Sequence, residues 1–146
     1  MDNQVKYSLI DLNMYINQIR GSWVQLAKKF NINYHEMLMM YHLYRHGACT
    51  QKQICEYYLL PKQTVNNIVM DMKENDYIRM EFAENNRKEK VIVLTPSGEE
   101  YISNLVASMD KVEKSMSEKM GDEKQFLLAN LLIDYGEIIK QEIIAD

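Results

Sequence analysis

Apolar residues recur in the first part of the chain at alternating steps of four and three positions. The series consists of Val5, Leu9, Leu12, Ile16, Ile19, Trp23, Leu26 and Phe30. This spacing brings the side chains onto one stripe of an α-helix, and such a stripe packs against another helix. The segment Asn31-Ile32-Asn33 ends the series, so the pattern predicts one long first helix.

Two shorter helices are predicted next, each introduced by a residue that can cap it. Asn33 with Glu36, and Thr50 with Gln53, have the separation of a capping box. Gly47 ends the second helix, which covers about residues 34–45. The second helix carries Leu38, Tyr41 and Tyr44, and in the third we expect Ile54, Tyr57 and Tyr58 to face inward or onto the next helix.

The fourth predicted helix has two contrasting faces. It opens at Pro61, whose missing N–H would have no partner in a first turn anyway. One face is apolar and consists of Val65, Ile68, Val69 and Met72. The opposite face carries Gln63, Asn66, Asn67 and Met70, with Thr64 at its edge. That face is nearly uncharged, and amide side chains suit hydrogen bonding to the edges of bases.

A β-hairpin is predicted after this helix. The helix ends at Asn75-Asp76, residues that tolerate left-handed backbone geometry. A strand-like run covers residues 77–82, a polar tip covers residues 84–89, and a second strand covers residues 91–94. We also expect Ala48-Cys49 to form a short strand that pairs with this hairpin. The pattern predicts a mostly α fold with a small β-wing (α+β), a winged helix-turn-helix.

Two more helices complete the predicted fold. Thr95-Pro96 starts the fifth, whose apolar positions Ile102, Leu105, Met109, Val112 and Met116 again alternate steps of three and four. Gly121 stops it, and Asp122 is expected to cap the sixth. The sixth helix has a wide apolar arc of Phe126, Leu127, Leu128, Leu131, Leu132, Tyr135, Ile138, Ile139, Ile143 and Ile144. Such terminal helices around a central lobe predict an obligate homodimer.

The lobe resembles the MarR family of dimeric bacterial transcription regulators. The resembling motifs are Thr64-Val65, the helix exit Asn75-Asp76-Tyr77-Ile78, the wing residue Arg87 and the closing Leu94-Thr95-Pro96-Ser97-Gly98. The family usually has Asp at position 86 and Gly at position 76, where this chain has Asn and Asp. The resemblance implies one MarR-like domain over residues 1–146, with dimerisation helices in 1–33 and 97–146 and a DNA-binding lobe in 34–96.

The predicted partner is double-stranded DNA. We expect Gln63, Asn66 and Asn67 to read adenines and Met70 to touch a thymine methyl. Lys62 and Thr64 are expected to hold phosphates. The resemblance implies that Arg87 enters a minor groove, with Lys88 and Lys90 on phosphates. Together these residues predict an A/T-rich inverted repeat.

The resemblance further implies a repressor that a small aromatic or anionic effector releases. In the family, a pocket for such molecules lies between the dimer helices and the DNA-binding lobe. The residues that we expect to line it here are Tyr15, Arg20, Trp23, Met37, Tyr41 and Arg45. Arg20 and Arg45 would supply its positive charge.

Composition sets limits on these expectations. The net charge is −4, but acids and bases balance between Gly47 and Pro96, and the acidic excess lies after Ser97. We therefore expect modest nonspecific affinity for DNA. No apolar run is long enough to cross a membrane, and the first residues lack the pattern of a signal peptide, so a cytoplasmic protein is predicted.

Histidine and cysteine residues suggest alternative functions. His42 and His46 have the spacing of a zinc-binding pair, but the family's zinc sensors add a fifth-helix His that this chain lacks, so no metal or other cofactor is expected. Cys49 and Cys55 leave open a thiol-based redox sensor. A winged-helix module that binds protein is a second alternative. No motif of an enzyme is found, and no catalytic residue is predicted.

Overall fold

The computed structural model of the chain describes residues 7–144, so Val5, the first residue of the predicted stripe, lies outside the described residues. The elements are α1 (Leu9–Lys29), α2 (Tyr34–His46), α3 (Gln51–Tyr58), α4 (Lys62–Glu74), β1 (Ile78–Ala83), β2 (Asn86–Leu94), α5 (Pro96–Met120) and α6 (Asp122–Ile144). Their order is the predicted one. The chain forms two compact units, of which the first ends at Leu105 and the second begins at Val106, within α5.

Side-chain caps fix where the first three helices begin. Ser8 and Asp11 form a capping box at α1 that the sequence analysis missed. Thr50 and Gln53 form the predicted box at α3. At α2 the expected box is wrong in one respect, because the side chain of Asn33 accepts from the N–H of His35, 2.9 Å away, and not from residue 36.

The core of the first unit is built largely from α2. Met37, Met39, Met40 and Leu43 are buried, since flexible methionine side chains fill the space between α2 and its neighbours. In α3, Ile54 is buried as predicted, whereas Tyr57, which we expected to face inward or onto the next helix, is 58% exposed and stacks on the ring of His42. Tyr58 is half-buried and satisfies its hydroxyl with the ring of His42.

The wing differs from its prediction in where the second strand begins. The turn occupies only residues 84 and 85, and β2 starts at Asn86 and not after a polar tip that reaches Glu89. Asn86 pairs with Ala83, and its side chain accepts from the N–H of Lys88 at 3.0 Å. Because Phe82 pairs with Lys90, residues 87–89 have no opposite partner and form a bulge. The predicted pairing of Cys49 is confirmed, as a bridge to Ile92 of β2.

A tight junction joins the end of α4 to the start of α5. Asp76 adopts the left-handed conformation with φ +58°, as its position predicts. The Tyr77 carbonyl accepts from the N–H of Thr95 at 3.1 Å, and the buried Thr95 hydroxyl donates to the Asp76 carbonyl. The N–H of Gly98 donates to the same hydroxyl at 3.0 Å. These hydrogen bonds therefore hold the end of α4 against the start of α5.

Two stacked rings extend this junction to α2. The rings of Tyr77 and Tyr101 lie 4.0 Å apart between centroids, with an interplanar angle of 10°. The Tyr101 hydroxyl donates to Glu36 Oε1 at 3.2 Å. Burial raises the pKa of Glu36, and burial together with the Glu36 charge raises the pKa of Tyr101 to about 12. The folded state therefore favours the protonated form of both groups.

The raised pKa of Glu36 predicts how the effect of Glu36→Gln on stability depends on pH. A carboxyl whose pKa is raised by folding stabilises the protein most at pH values below its unfolded pKa, and that stability is lost as pH rises. Glutamine keeps an acceptor for Tyr101 without the charge. We therefore expect Glu36→Gln to gain free energy of unfolding over the parent as pH rises from about 4 to about 7, measured by urea denaturation. A difference that stays constant with pH would contradict this.

The second unit consists of the remainder of α5 and of α6. Gly121, with φ +77°, separates the helices as predicted. Asp122 is the first residue of α6 and not its cap, and its carboxylate accepts from the Ser117 hydroxyl at 3.0 Å. Among the described residues of α6 none is buried, and Phe126 is 74% exposed. No helix in residues 7–144 combines the length and apolar character that crossing a membrane needs.

Candidate nucleic-acid interface and effector cleft

The exposed face of α4 is the one that the sequence predicts. Val65, Val69 and Met72 are buried in the lobe. On the other side, Lys62, Gln63, Asn67 and Met70 are exposed, while Thr64 and Asn66 are half-buried. The helix begins at Lys62, so Pro61 is its N-cap and not, as predicted, its first residue, and Pro61 provides no side-chain cap for the first turn. Its first N–H groups are therefore available to a ligand outside the helix.

Two of the exposed amides are in contact with each other. Gln63 Nε2 donates to Asn67 Oδ1 at 2.8 Å, one helical turn along α4. The sequence alone predicted that Gln63 and Asn67 contact bases separately. Their separation of four positions was the signal for this contact, because such residues are neighbours on a helix surface.

The wing presents exposed cations on an irregular backbone. Arg87 and Lys88 lie in the bulge, and Lys90 lies at its base with its ammonium 5.8 Å from the centroid of the exposed Phe82 ring. Arg79 differs, because its Nε is 2.5 Å from Glu81 Oε1. Residues 84–90 at the tip contain Arg87, Lys88 and Lys90 together with Glu84 and Glu89, so their net charge is +1.

A cleft of about 760 Å³ lies within the first unit. It is lined by Arg20, Trp23, Tyr34, His35, Leu38, Tyr57, Tyr58, Leu59, Leu60 and Pro61. The Arg20 guanidinium lies 5.6 Å from the centroid of the Tyr34 ring. Burial, and then the charge of Arg20, lowers the pKa of His35. An aromatic wall with one cation beside a neutral imidazole suits a small aromatic anion.

The cleft contains only part of the predicted effector set. Arg20 and Trp23 line it, but Met37 is 1% exposed and belongs to the core. Tyr15 contacts Tyr7, with ring centroids 6.3 Å apart. Tyr41 and Arg45 pair with each other, the guanidinium 5.8 Å from the ring centroid, and neither lines the cleft.

The structure adds a wall that the sequence analysis missed. The turn between α3 and α4, which contains Leu59, Leu60 and Pro61, lines the cleft. Leu59 there has a left-handed backbone with φ +49° and is 89% exposed. The leucine pair between α3 and α4 was an available signal, because exposed apolar residues in a turn often mark a contact with a neighbour or a ligand.

The surroundings of His42 and Cys49 do not favour the metal and redox alternatives. His42 Nδ1 lies 3.0 Å from the Tyr58 hydroxyl, and burial and the charge of His46 lower the pKa of His42. In residues 7–144 no cluster of three or more His, Cys, Asp or Glu side chains is placed to hold a metal. Cys49 is 4% exposed, and burial raises its pKa to about 11, which makes it a poor thiolate nucleophile.

Known proteins resemble this chain in sequence and in fold. The profile of the MarR family matches residues 30–89. The uncharacterized HTH-type transcriptional regulator YwoH of Bacillus subtilis is 28% identical over 123 residues, which are 80% of this chain and 89% of YwoH. A MarR family regulator from Neisseria meningitidis is 26% identical, with a TM-score of 0.84 over 94% of this chain and 97% of that one.

Two further structures of the same fold contain ligands. MepR of S. aureus, solved with DNA, has 21% identity and a TM-score of 0.68 over 94% of this chain and 99% of its own. NadR, solved with 4-hydroxyphenylacetate, has 18% identity and a TM-score of 0.75 over the same shares. The family profile over residues 30–89, the relatives and the winged helix-turn-helix agree, and this chain is a transcriptional regulator that resembles the MarR family.

Proposed function

We propose that this regulator is a homodimeric repressor that reads an A/T-rich inverted repeat and is released by a small aromatic or anionic effector. The observation that carries the proposal is the pairing of an exposed, uncharged amide face on α4 with a wing that holds Arg87, Lys88 and Lys90 exposed. In this arrangement the helix enters a major groove and the wing reaches the adjacent minor groove. Acting on DNA, it would work in the cytoplasm.

Exposed apolar surface on both terminal helices supports the homodimer. Residues 7–144 leave unburied the large apolar side chains of α1 (Leu9, Ile10, Leu12, Met14, Tyr15, Ile16 and Ile19) and of α6 (Phe126, Leu127, Leu128, Leu131, Leu132, Ile133, Ile138, Ile143 and Ile144). A monomer rarely exposes this much apolar surface to water. We propose that residues 1–33 and 97–146 form the dimer contacts, and that residues 34–96 form the DNA-binding lobe.

Each face residue of α4 has a proposed role set by its chemistry. Gln63, Asn66 and Asn67 contact base edges, among which adenine is the best match for an amide, and Met70 contacts a thymine methyl group. Lys62 and Thr64 hold phosphates beside the uncapped first turn of α4, where the helix dipole also favours a phosphate. Because the charges of the lobe balance, nonspecific affinity for DNA is expected to be modest, and the base contacts carry the choice of sequence.

Arg87 and Lys88 are predicted to differ in the kind of affinity that they supply. Arg87→Ala should weaken binding to the preferred site by about 1–3 kcal/mol, because a narrow A/T-rich minor groove attracts arginine. Lys88→Ala should weaken binding to all sequences similarly and lower the salt dependence, because it removes a phosphate contact. Fluorescence anisotropy at several salt concentrations measures both. Lys114→Ala, the same charge change outside residues 34–96, is the control, and an Arg87→Ala protein with parental affinity would contradict the role of the wing.

The cleft gives a route from effector to DNA. Its wall includes Pro61, which directly precedes α4, so a ligand there contacts the segment that sets where the recognition helix begins. NadR, of the same fold, binds 4-hydroxyphenylacetate, an aromatic carboxylate. A ligand that prefers one position of this turn shifts the population of dimers whose two α4 helices fit the DNA.

Arg20 is predicted to bind the effector carboxylate. Trp23, the single tryptophan of the chain, lines the cleft and reports binding by its fluorescence. Titration with 4-hydroxyphenylacetate should give a Kd that Arg20→Ala raises about tenfold, the size of a lost charge-assisted hydrogen bond. Arg45→Ala should leave the Kd unchanged, because Arg45 does not line the cleft. The opposite ranking of the two variants would place the ligand elsewhere.

A further inference from the structure

The hydrogen bond between Gln63 and Asn67 changes what the face of α4 can read. Both side chains are exposed, and Gln63 Nε2 lies 2.8 Å from Asn67 Oδ1. The bond turns the Gln63 nitrogen towards Asn67 and does not use Gln63 Oε1. An exposed glutamine otherwise samples many orientations, and the bond restricts it before any DNA arrives.

The chemistry of a primary amide allows this bond and an adenine contact together. Bidentate binding uses the amide oxygen, which accepts from adenine N6, and one N–H, which donates to adenine N7. The N–H used is the one on the same side as the oxygen. The second hydrogen of Gln63 Nε2 points away from that contact and can remain on Asn67 Oδ1.

Asn67 is left with a different capacity. Its oxygen already accepts from Gln63, so what it mainly offers to DNA is the pair of hydrogens on Nδ2. Such a group donates to thymine O4 or to guanine O6 and N7. Asn67 is therefore suited to an acceptor on the neighbouring base pair and less suited to a second bidentate adenine contact.

We propose that Gln63 and Asn67 form one reading unit, in which Gln63 binds an adenine edge and Asn67 positions the Gln63 amide. Asn67 then donates to an acceptor on the next base pair. This inference rests on the proposed DNA-binding function and assigns unequal roles to two residues of the same chemical type. Asn66 lies next to Asn67 but is half-buried and stands outside the unit, which makes it a matched comparison.

The experiment uses base analogues in the sequence that the full-length protein selects from random DNA. 7-Deazaadenine lacks the N7 acceptor and keeps the N6 amino group and the Watson–Crick pair. Placed at each adenine in turn, it should weaken parental binding about tenfold at the adenine of each half-site that Gln63 binds. In Gln63→Ala that penalty should disappear. In Asn67→Ala the penalty should shrink, because the Gln63 amide loses its orientation, and in Asn66→Ala it should stay at the parental value.

A double-mutant cycle separates positioning from a simple sum of contacts. The combined effect of Gln63→Ala and Asn67→Ala should differ from the product of the single effects by about threefold or more, whereas Gln63→Ala and Asn66→Ala should multiply. Thermal unfolding of each variant shows whether folding contributes.

The outcomes also separate this inference from the function on which it rests. A protein that selects no sequence would overturn the proposed readout and the reading unit with it. A selected sequence whose 7-deazaadenine penalty survives Gln63→Ala, or a pair whose effects simply multiply, would overturn the reading unit alone and leave the proposed function in place.

Discussion

Gly98→Ala is expected to lower the free energy of unfolding by about 3 kcal/mol or more, a large share of the stability of a domain of this size. A Cβ at position 98 would lie 2.0 Å from the Tyr77 carbonyl oxygen and 2.9 Å from the Tyr77 carbonyl carbon. Both are backbone atoms, so no side-chain rotation relieves the overlap. The oxygen is further held by the N–H of Thr95. The junction between α4, β1 and α5 must therefore open.

Chemical denaturation followed by circular dichroism measures this effect. Gly21→Ala is the matched control, because a Cβ there meets nothing within 4 Å in the middle of α1. It should raise stability by about 0.5–1 kcal/mol, since alanine is the better helix residue. A Gly98→Ala protein with the parental midpoint and slope would show that the close approach of Gly98 to Tyr77 is not maintained in solution.

Leu131→Glu is expected to convert the proposed homodimer to monomers. Leu131 is 55% exposed in the single chain, in the middle of the apolar surface of α6, and two-fold symmetry would place the change twice in one interface. Burying an unpaired carboxylate costs several kcal/mol per copy, so the dimer Kd should rise by about a thousandfold or more. Affinity for an inverted repeat should fall with it, because each monomer then binds only a half-site.

Size-exclusion chromatography with light scattering measures the change in mass. Gln141→Glu, which adds the same charge at an exposed polar position of α6, should remain a dimer. The circular dichroism of Leu131→Glu distinguishes a folded monomer from an unfolded chain. A Leu131→Glu protein that remains a dimer with parental affinity for DNA would place the dimer contacts away from this face.

Local patterns were sufficient to predict most of the fold. The stripe of Val65, Val69 and Met72 oriented α4 correctly, because helix periodicity depends only on sequence spacing. Thr50, Gly47 and Gly121 marked helix ends through their own backbone and hydrogen-bonding preferences. Each of these signals acts within a few residues of itself.

The features that the sequence did not predict depend on individual side-chain contacts or on packing between distant segments. The Asn86 side chain bonds to the N–H of Lys88 and lets β2 begin early, whereas a run of charged residues reads as a loop. Met37 and Arg45 have the right chemistry for a pocket, but the packing of α2 buries the first and pairs the second with Tyr41. The cleft likewise depends on packing between distant segments, whereas the bond between Gln63 and Asn67 lies within one helix.

Selection of bound sequences from random double-stranded DNA by the full-length protein tests the proposed DNA readout. We expect an inverted repeat whose half-sites are A/T-rich and lie about one helical turn, roughly 10 base pairs, apart. Each half-site should contain an adenine that Gln63 requires. Recovery of a G/C-rich consensus, of a lone half-site, or of no preferred sequence would contradict the proposed readout.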